Sequence, residues 1–244
     1  MSDHFKVVDA DCSKPESATR RRWLKPLGAL LITATLGAPW LAQAQTQAQT
    51  QAPAKASAAD AAILIVGDSL SAQYGLKRGT GWVPLLEKQL VDEKKPLKVI
   101  NASISGETTS GGHSRLPALL ALHRPATVVI ELGGNDALRG LPLAMTEKNL
   151  TAMTQAAKKS GAKVLLIGMQ VPPNYGSAYS AGFAGLFAKV AKAEKAALVP
   201  FFLKGIADGD GASANFQADR IHPNEQSQAR MLANVWPELK KIIP

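Results

Sequence analysis

The 244-residue chain holds one cysteine, Cys12, and only four histidines. A single thiol closes no intramolecular disulfide and builds no cysteine zinc cluster. Cys12 also precedes the one apolar stretch that reads as removable, so no lipoprotein cysteine follows that stretch. No His pair lies at metal-ligand spacing, which disfavours a metal hydrolase. Chemistry must therefore come from oxygen and nitrogen, with no cofactor implied. Aromatic residues make up 5% of the chain, and no basic block carries interleaved aromatics, so nucleic acid is not an expected partner. No uninterrupted apolar run reaches the roughly 18 to 20 residues of a membrane span. Acidic side chains are in deficit, 19 against 28 basic, for a formal charge of +9. Lysines spread along helical segments, such as Lys158, Lys159, Lys189, Lys192 and Lys195, read as a solvated surface. What the chain does have is 46% hydrophobic residues, ample for the core of one domain without disulfide or metal.

The first 44 residues read as an export signal. Arg20, Arg21, Arg22 and Lys25 form a basic start, Leu27 to Trp40 is mainly apolar but broken by Gly37 and Pro39, and Ala42-Gln43-Ala44 offers small residues for cleavage. The arginines fit a twin-arginine route and a plain secretory route alike. Either route predicts a periplasmic or secreted protein with no transmembrane segment after cleavage. Residues 45–60, with their repeated Gln, Thr and Ala, have too few bulky apolar groups to offset ordering entropy and read as a flexible linker. The folded domain is expected over residues 61–244.

In that domain short apolar runs alternate with amphipathic segments. Ala62–Val66, Val99–Ile100, Val128–Leu132, Val164–Ile167 and Leu198–Phe202 lack the alternation of half-exposed strands and read as buried parallel strands. Helical patterns lie between them: Trp82–Glu93, a short one near Leu116–Ala121, Thr146–Ser160 closed by Gly161, and Phe183–Glu194. A last helix is expected from about Asn224 to Lys241, entered through Pro223. This order predicts a three-layer α/β/α domain with about five parallel strands. In such sheets ligands sit beyond the carboxyl ends of the strands.

Four of those positions carry suitable residues. Gly67-Asp68-Ser69-Leu70 follows the first strand, where a serine can sit exposed on a sharp turn. Asn101 to Thr108 follows the second, with Gly106 free of a Cβ so that its backbone can approach a ligand. Gly133-Gly134-Asn135-Asp136 follows the third and presents a neutral amide donor. Asp219-Arg220-Ile221-His222-Pro223 lies near the end, where a carboxylate three residues before a histidine can orient its ring. Each is an ordinary turn sequence alone. Together they supply a nucleophile, a base, an orienting carboxylate and candidate oxyanion donors at one sheet edge.

These four blocks resemble those of the GDSL, or SGNH, hydrolase superfamily. Asn101–Thr108, Glu131–Gly140 and Pro172–Gly176 further resemble the bacterial periplasmic thioesterase I, lysophospholipase and arylesterase group. The resemblance implies a flavodoxin-like sheet and a metal-free serine hydrolase of acyl esters, thioesters or lysophospholipids. It implies Ser69 as nucleophile, His222 as base and Asp219 as its orienting partner. Ser69 N–H, Gly106 N–H and the Asn135 amide are implied as the oxyanion hole, with Asp68 bracing the loops. Arg220 departs from the pattern by placing a bulky cation inside the last block.

Leu138, Leu141, Leu143, Pro172 and Tyr175 lie after the third and fourth strands and are candidates to line an acyl groove. They would serve equally as covers for neighbouring helix ends. Two other functions use the same sheet edge. A carbohydrate acetyl esterase would need stacking platforms, for which Trp82 and Trp236 are the candidates. A non-catalytic acyl- or sugar-binding module would be indifferent to loss of the Ser69 hydroxyl.

Overall fold

The computed structural model describes residues 61–95, 97–209 and 211–244. The expected export signal, 1–44, and linker, 45–60, lie outside the described residues. Five parallel strands, β1 (Ala62–Gly67), β2 (Lys98–Asn101), β3 (Thr127–Glu131), β4 (Lys163–Ile167) and β5 (Ala197–Val199), form a sheet in the order β2-β1-β3-β4-β5. The helices are α1 (Trp82–Asp92), α2 (Thr109–His123), α3 (Gly134–Leu138), α4 (Leu143–Lys159), α5 (Ser177–Glu194) and α6 (Gln228–Ile242). α1 and α6 pack together on one face of the sheet, and α2, α4 and α5 pack in succession on the other. This is the expected three-layer α/β/α architecture, in the flavodoxin-like strand order.

The core follows from strand position. β1 and β3 are central, and every residue of both is buried, which is why they read as unbroken Val, Ile and Leu runs. β2 differs from the expectation of a buried strand: it is the sheet edge, and its residues are exposed or half-buried. β5 is also shorter than expected, ending at Val199 because Pro200 has no N–H to give the ladder. Phe202, expected inside that strand, instead donates its N–H to the Gly168 carbonyl at 2.8 Å. Its buried ring meets the buried Trp82 ring edge-on, with centroids 5.6 Å apart.

The largest departure is α2, which runs the full length from Thr109 to His123 where only a short helix near Leu116–Ala121 is expected. Gly111, Gly112 and Pro117 make the segment look broken. Tertiary packing overrides that propensity. Thr108 caps the helix by accepting the Gly111 N–H at 3.4 Å, and Gly112 is buried against its neighbours. A Cβ at Gly112 would lie 2.3 Å from Leu132 Cδ1 and 3.3 Å from Met153 Sδ. α5 likewise starts earlier than expected, at Ser177, and α6 is entered through a tight turn at Glu225–Ser227.

Gly112→Ala is expected to destabilise the protein by about 1 to 3 kcal/mol, because Leu132 must leave its rotamer or α2 must lift. A urea midpoint equal to wild type would overturn this account.

Candidate active site

The strand order reverses direction between β1 and β3, and the loops leaving these two strands part around a crevice. The turn after β1 is closed by its own backbone: Ala72 N–H donates to Asp68 O at 2.9 Å and Tyr74 N–H to Ser69 O at 3.1 Å. Ser69 stands half-buried at its apex. Gly67 admits no side chain, since a Cβ there would lie 2.8 Å from Glu131 Oε2, 2.8 Å from Ser71 Oγ and 2.9 Å from Ser103 Oγ.

The segment before α6 brings its histidine to this serine. His222 Nε2 lies 2.9 Å from Ser69 Oγ, and His222 Nδ1 lies 2.6 Å from Asp219 Oδ2. Asp219 Oδ1 accepts the N–H groups of Ile221 and His222 at 2.9 and 3.0 Å. The His222 N–H bond is the leading cause that holds the Asp219 carboxyl down at about 2, so it is a carboxylate at neutral pH. Arg220 closes this turn with φ 59°, a left-handed conformation that costs a residue with a Cβ some free energy. Its side chain is exposed. The Tyr74 ring lies against the His222 ring, with centroids 4.4 Å apart.

The three expected oxyanion donors are the N–H groups of Ser69 and Gly106 and the Asn135 amide. Among the described residues, the N–H groups of Ser69 and Gly106 have no acceptor. Gly106 adopts φ 78°, which favours glycine, and Arg139 Nη2 donates to its carbonyl at 2.8 Å. Asn135 lies in the first turn of α3, where Gly133 enters the helix with φ 119°. One N–H of the Asn135 amide donates to Asp68 Oδ2 at 3.0 Å, leaving the other free. Asp68 is buried, and its Oδ1 accepts the Leu70 N–H at 3.0 Å. Burial is the main cause that raises the Asp68 carboxyl to about 6, against the pull of these hydrogen bonds.

Asp136, one residue on, faces away from the serine. Its buried carboxyl accepts the Thr109 N–H at 2.8 Å and the Thr109 hydroxyl, tying α3 to the start of α2. The α2 end of the loop that carries Gly106 is thus fixed by Thr109 and by Glu107 paired to Arg115, and its other side is held by the Ile104 N–H, which donates to Gly67 O at 3.0 Å.

The candidate acyl-groove residues are distributed differently from the catalytic candidates. A shallow cleft beside Ser69 and His222 is lined by Leu70, Tyr74, Leu76, Pro223 and Gln228, none of the five expected from the sequence. Leu138 is exposed, as is Pro172. Leu141 and Tyr175 approach one another through Tyr179, whose hydroxyl donates to Leu141 O at 3.2 Å and whose ring stacks near Tyr175. Leu143 packs toward Gly182 of α5, where a Cβ would lie 2.8 Å from its Cδ1. Trp82 is fully buried and offers no stacking platform; Trp236 lies on α6 beneath Lys240. Tyr74 and Arg139 had no signal of their own in the sequence, since each acts on a loop remote along the chain.

The fold and this edge define an α/β carboxylic ester hydrolase. The chain belongs to the GDSL-like lipase/acylhydrolase family, whose profile matches residues 65–230. It is 54% identical over 186 residues to Esterase TesA of Pseudomonas aeruginosa, covering 76% of this chain and 91% of that protein. It is 41% identical over 172 residues to thioesterase 1/protease 1/lysophospholipase L1 of Escherichia coli, covering 70% and 80%. Among solved structures, the psychrotrophic esterase EstA of Pseudoalteromonas sp. is similar with a TM-score of 0.69 and 42% identity, over 74% of this chain and 97% of that one.

The buried Asp68 makes stability depend on pH. Its carboxyl titrates at about 6 in the folded protein against 3.8 ordinarily. Between those values the folded protein keeps a proton that the unfolded chain has released, so stability falls as pH rises through the window. Asp68→Asn removes the titration. From pH 4 to pH 7, wild type should lose on the order of 2 kcal/mol relative to the variant. A difference in urea stability that is independent of pH would contradict this.

Proposed function

We propose that Ser69 is the nucleophile of an acyl-ester and thioester hydrolase. The observation that carries this reading is the run of contacts from Ser69 Oγ through His222 to Asp219, 2.9 and 2.6 Å long. Ser69 Oγ attacks the acyl carbon as His222 Nε2 takes its proton, and Asp219 holds the ring and stabilises the imidazolium. The tetrahedral oxygen receives the N–H groups of Ser69 and Gly106 and the free amide N–H of Asn135, donors aimed at charge that develops only in the transition state. Collapse expels the alcohol or thiol, which takes the proton from His222, and leaves an acyl-enzyme on Ser69. Water then loses a proton to the same histidine, attacks the acyl carbon and releases the acid.

The names of the relatives, an esterase and a thioesterase with lysophospholipase activity, support small acyl esters, thioesters and lysophospholipids as substrates. The exposed Leu138, with Leu141, Pro172 and Tyr175, forms the rim along which a longer acyl chain would lie. Leu143 supports this rim from beneath by its packing on α5. The basic, apolar and small-residue order of the first 44 residues supports work outside the cytoplasm, in the periplasm or beyond. No described helix is long and apolar enough to cross a membrane.

A panel of p-nitrophenyl esters from acetyl to octanoyl, an acyl-CoA and a lysophospholipid tests the reading. Ser69→Ala should lower kcat at least about a thousandfold on every member that wild type cleaves. Retention of wild-type hydrolysis would remove the covalent mechanism and favour a binding module. Asn135→Ala should lower kcat roughly a hundred- to a thousandfold; a change confined to KM would place Asn135 outside the oxyanion hole. Leu138→Asp should depress octanoyl turnover more than acetyl turnover, and an equal effect on both would dismiss the rim.

A further inference from the structure

The reaction proposed above makes no use of Glu131, which with Asp68 and Asp136 is one of three buried acids among the described residues. Glu131 ends β3 directly opposite Gly67, the last residue of β1, in the parallel register. Its side chain is essentially inaccessible to solvent. Its Oε2 accepts the Ser71 hydroxyl at 2.7 Å and faces the Asp68 N–H at 3.3 Å. Ser71 Oγ accepts in turn the indole N–H of Trp82 at 3.2 Å, and Trp82 is locked in the core. The Ser71 carbonyl accepts the Asn101 side-chain amide at 2.8 Å, from the end of β2. The turn that bears Ser69 is therefore held from β3, from β2 and from α1, and Glu131 is the centre of that attachment.

An acid at this place is costly. Leucine or methionine would fill the end of a buried strand without desolvating a carboxyl. A second buried carboxyl, Asp68, lies one residue from the nucleophile, and its proximity adds to the burial that pushes Glu131 well above the ordinary carboxyl range. Glu131 is thus the member of the pair that keeps its proton, and it serves as a neutral hydrogen-bonding group. A cost of that kind persists where a position serves function rather than packing.

We propose that Glu131 is a positioning residue: by gripping Ser71 and the Asp68 N–H, it holds the Gly67–Ser71 turn so that the Ser69 hydroxyl meets His222 at hydrogen-bonding distance. The proposal rests on Ser69 being the nucleophile. Glu131 reaches the chemistry only through the turn, so its loss affects attack by Ser69 and leaves substrate affinity in place.

Glu131→Ala, Glu131→Gln and Ser71→Ala are compared with wild type on one p-nitrophenyl ester, together with the rate at which a fluorophosphonate labels Ser69. Glu131→Ala should lower kcat and the labelling rate at least tenfold with KM within about threefold of wild type. Glu131→Gln, which keeps an acceptor for Ser71 and a donor in place of the acid proton, should restore both rates to within about threefold. Ser71→Ala should lower them in the same sense, and Glu131→Ala added to it should cause little further loss, since the two act as one unit. A kcat for Glu131→Ala within twofold of wild type would overturn the proposal. So would equal losses in folded Ala and Gln variants, because the ionised charge and not the grip would then matter. Should Glu131→Ala fail to fold, Ser71→Ala decides: kcat and labelling within twofold of wild type overturn the proposal, and a larger loss in both with KM unchanged upholds it. Failure of the underlying reading looks different, since Ser69→Ala would then hydrolyse as fast as wild type.

Discussion

The side-by-side pairing of β1 and β3 is the constraint on which the remainder depends. Both strands are wholly buried, and their register sets Gly67 against Glu131 at the point where the chain must leave the sheet. Here the crossovers to β2 and to β4 diverge to opposite sides, so the loops above these two strands cannot close over one another. The serine turn, the Gly133–Asp136 turn and the Gly106 loop all open onto that gap. The serine turn is anchored at the ends of β1 and β3, whereas His222 and Asp219 come from the segment before α6.

Much of this was legible in the residues because buried parallel strands announce themselves as short Val, Ile and Leu runs, and the turn residues after each run lie at the same edge. Ser69, Gly106 and Asn135 follow from that rule, whereas His222, more than twenty residues past β5, was a candidate only through its spacing to an acid. Asp219 was legible through its spacing to His222, a local relation. Other features rest on relations between distant segments. α2 looked interrupted at Gly111, Gly112 and Pro117, and only the packing of Gly112 on Leu132 explains why the helix continues. Trp82 looked available as a platform, yet its position at the start of α1 turns it into the core. Tyr74 on His222, Arg139 on the Gly106 carbonyl and Glu131 on Ser71 leave no local pattern, because register and crossover geometry bring them together.

The proposed acyl rim shows the same limit from another side. Leu138, Leu141, Leu143, Pro172 and Tyr175 share an end of the sheet, as loop composition suggested, but side-chain direction divides them. Leu143 turns toward Gly182 while Leu138 remains exposed, and the Tyr175, Tyr179 and Phe183 rings run as a continuous series into the α5 side of the core. Helix cover and substrate contact are thus performed by neighbours in one segment. The shallow cleft beside Ser69 is built instead from Leu70, Tyr74 and Leu76 after β1 and from Pro223 and Gln228 at the entry to α6.

Two buried carboxyls beside a place where negative charge is to develop would, if both were ionised, oppose the proposed chemistry. Their proximity is also what limits the opposition. Burial and the neighbouring Asp68 charge raise the proton affinity of Glu131, whereas Glu131 lowers that of Asp68 through a hydrogen bond, so Glu131 is the one that retains the proton. The pair then carries at most one negative charge, on Asp68. That charge does not face the substrate unscreened: it is turned toward the Leu70 N–H and one N–H of the Asn135 amide. Bonding to Asp68 fixes the amide plane, and the geometry of a planar NH₂ group directs its second hydrogen away from that acid oxygen. In the proposed mechanism, a group that would repel an oxyanion at close range thereby orients a donor for it. The upward shift of the Glu131 carboxyl favours that arrangement in the proposed mechanism, because a second negative charge behind Asp68 would repel the developing oxyanion most strongly in a low dielectric.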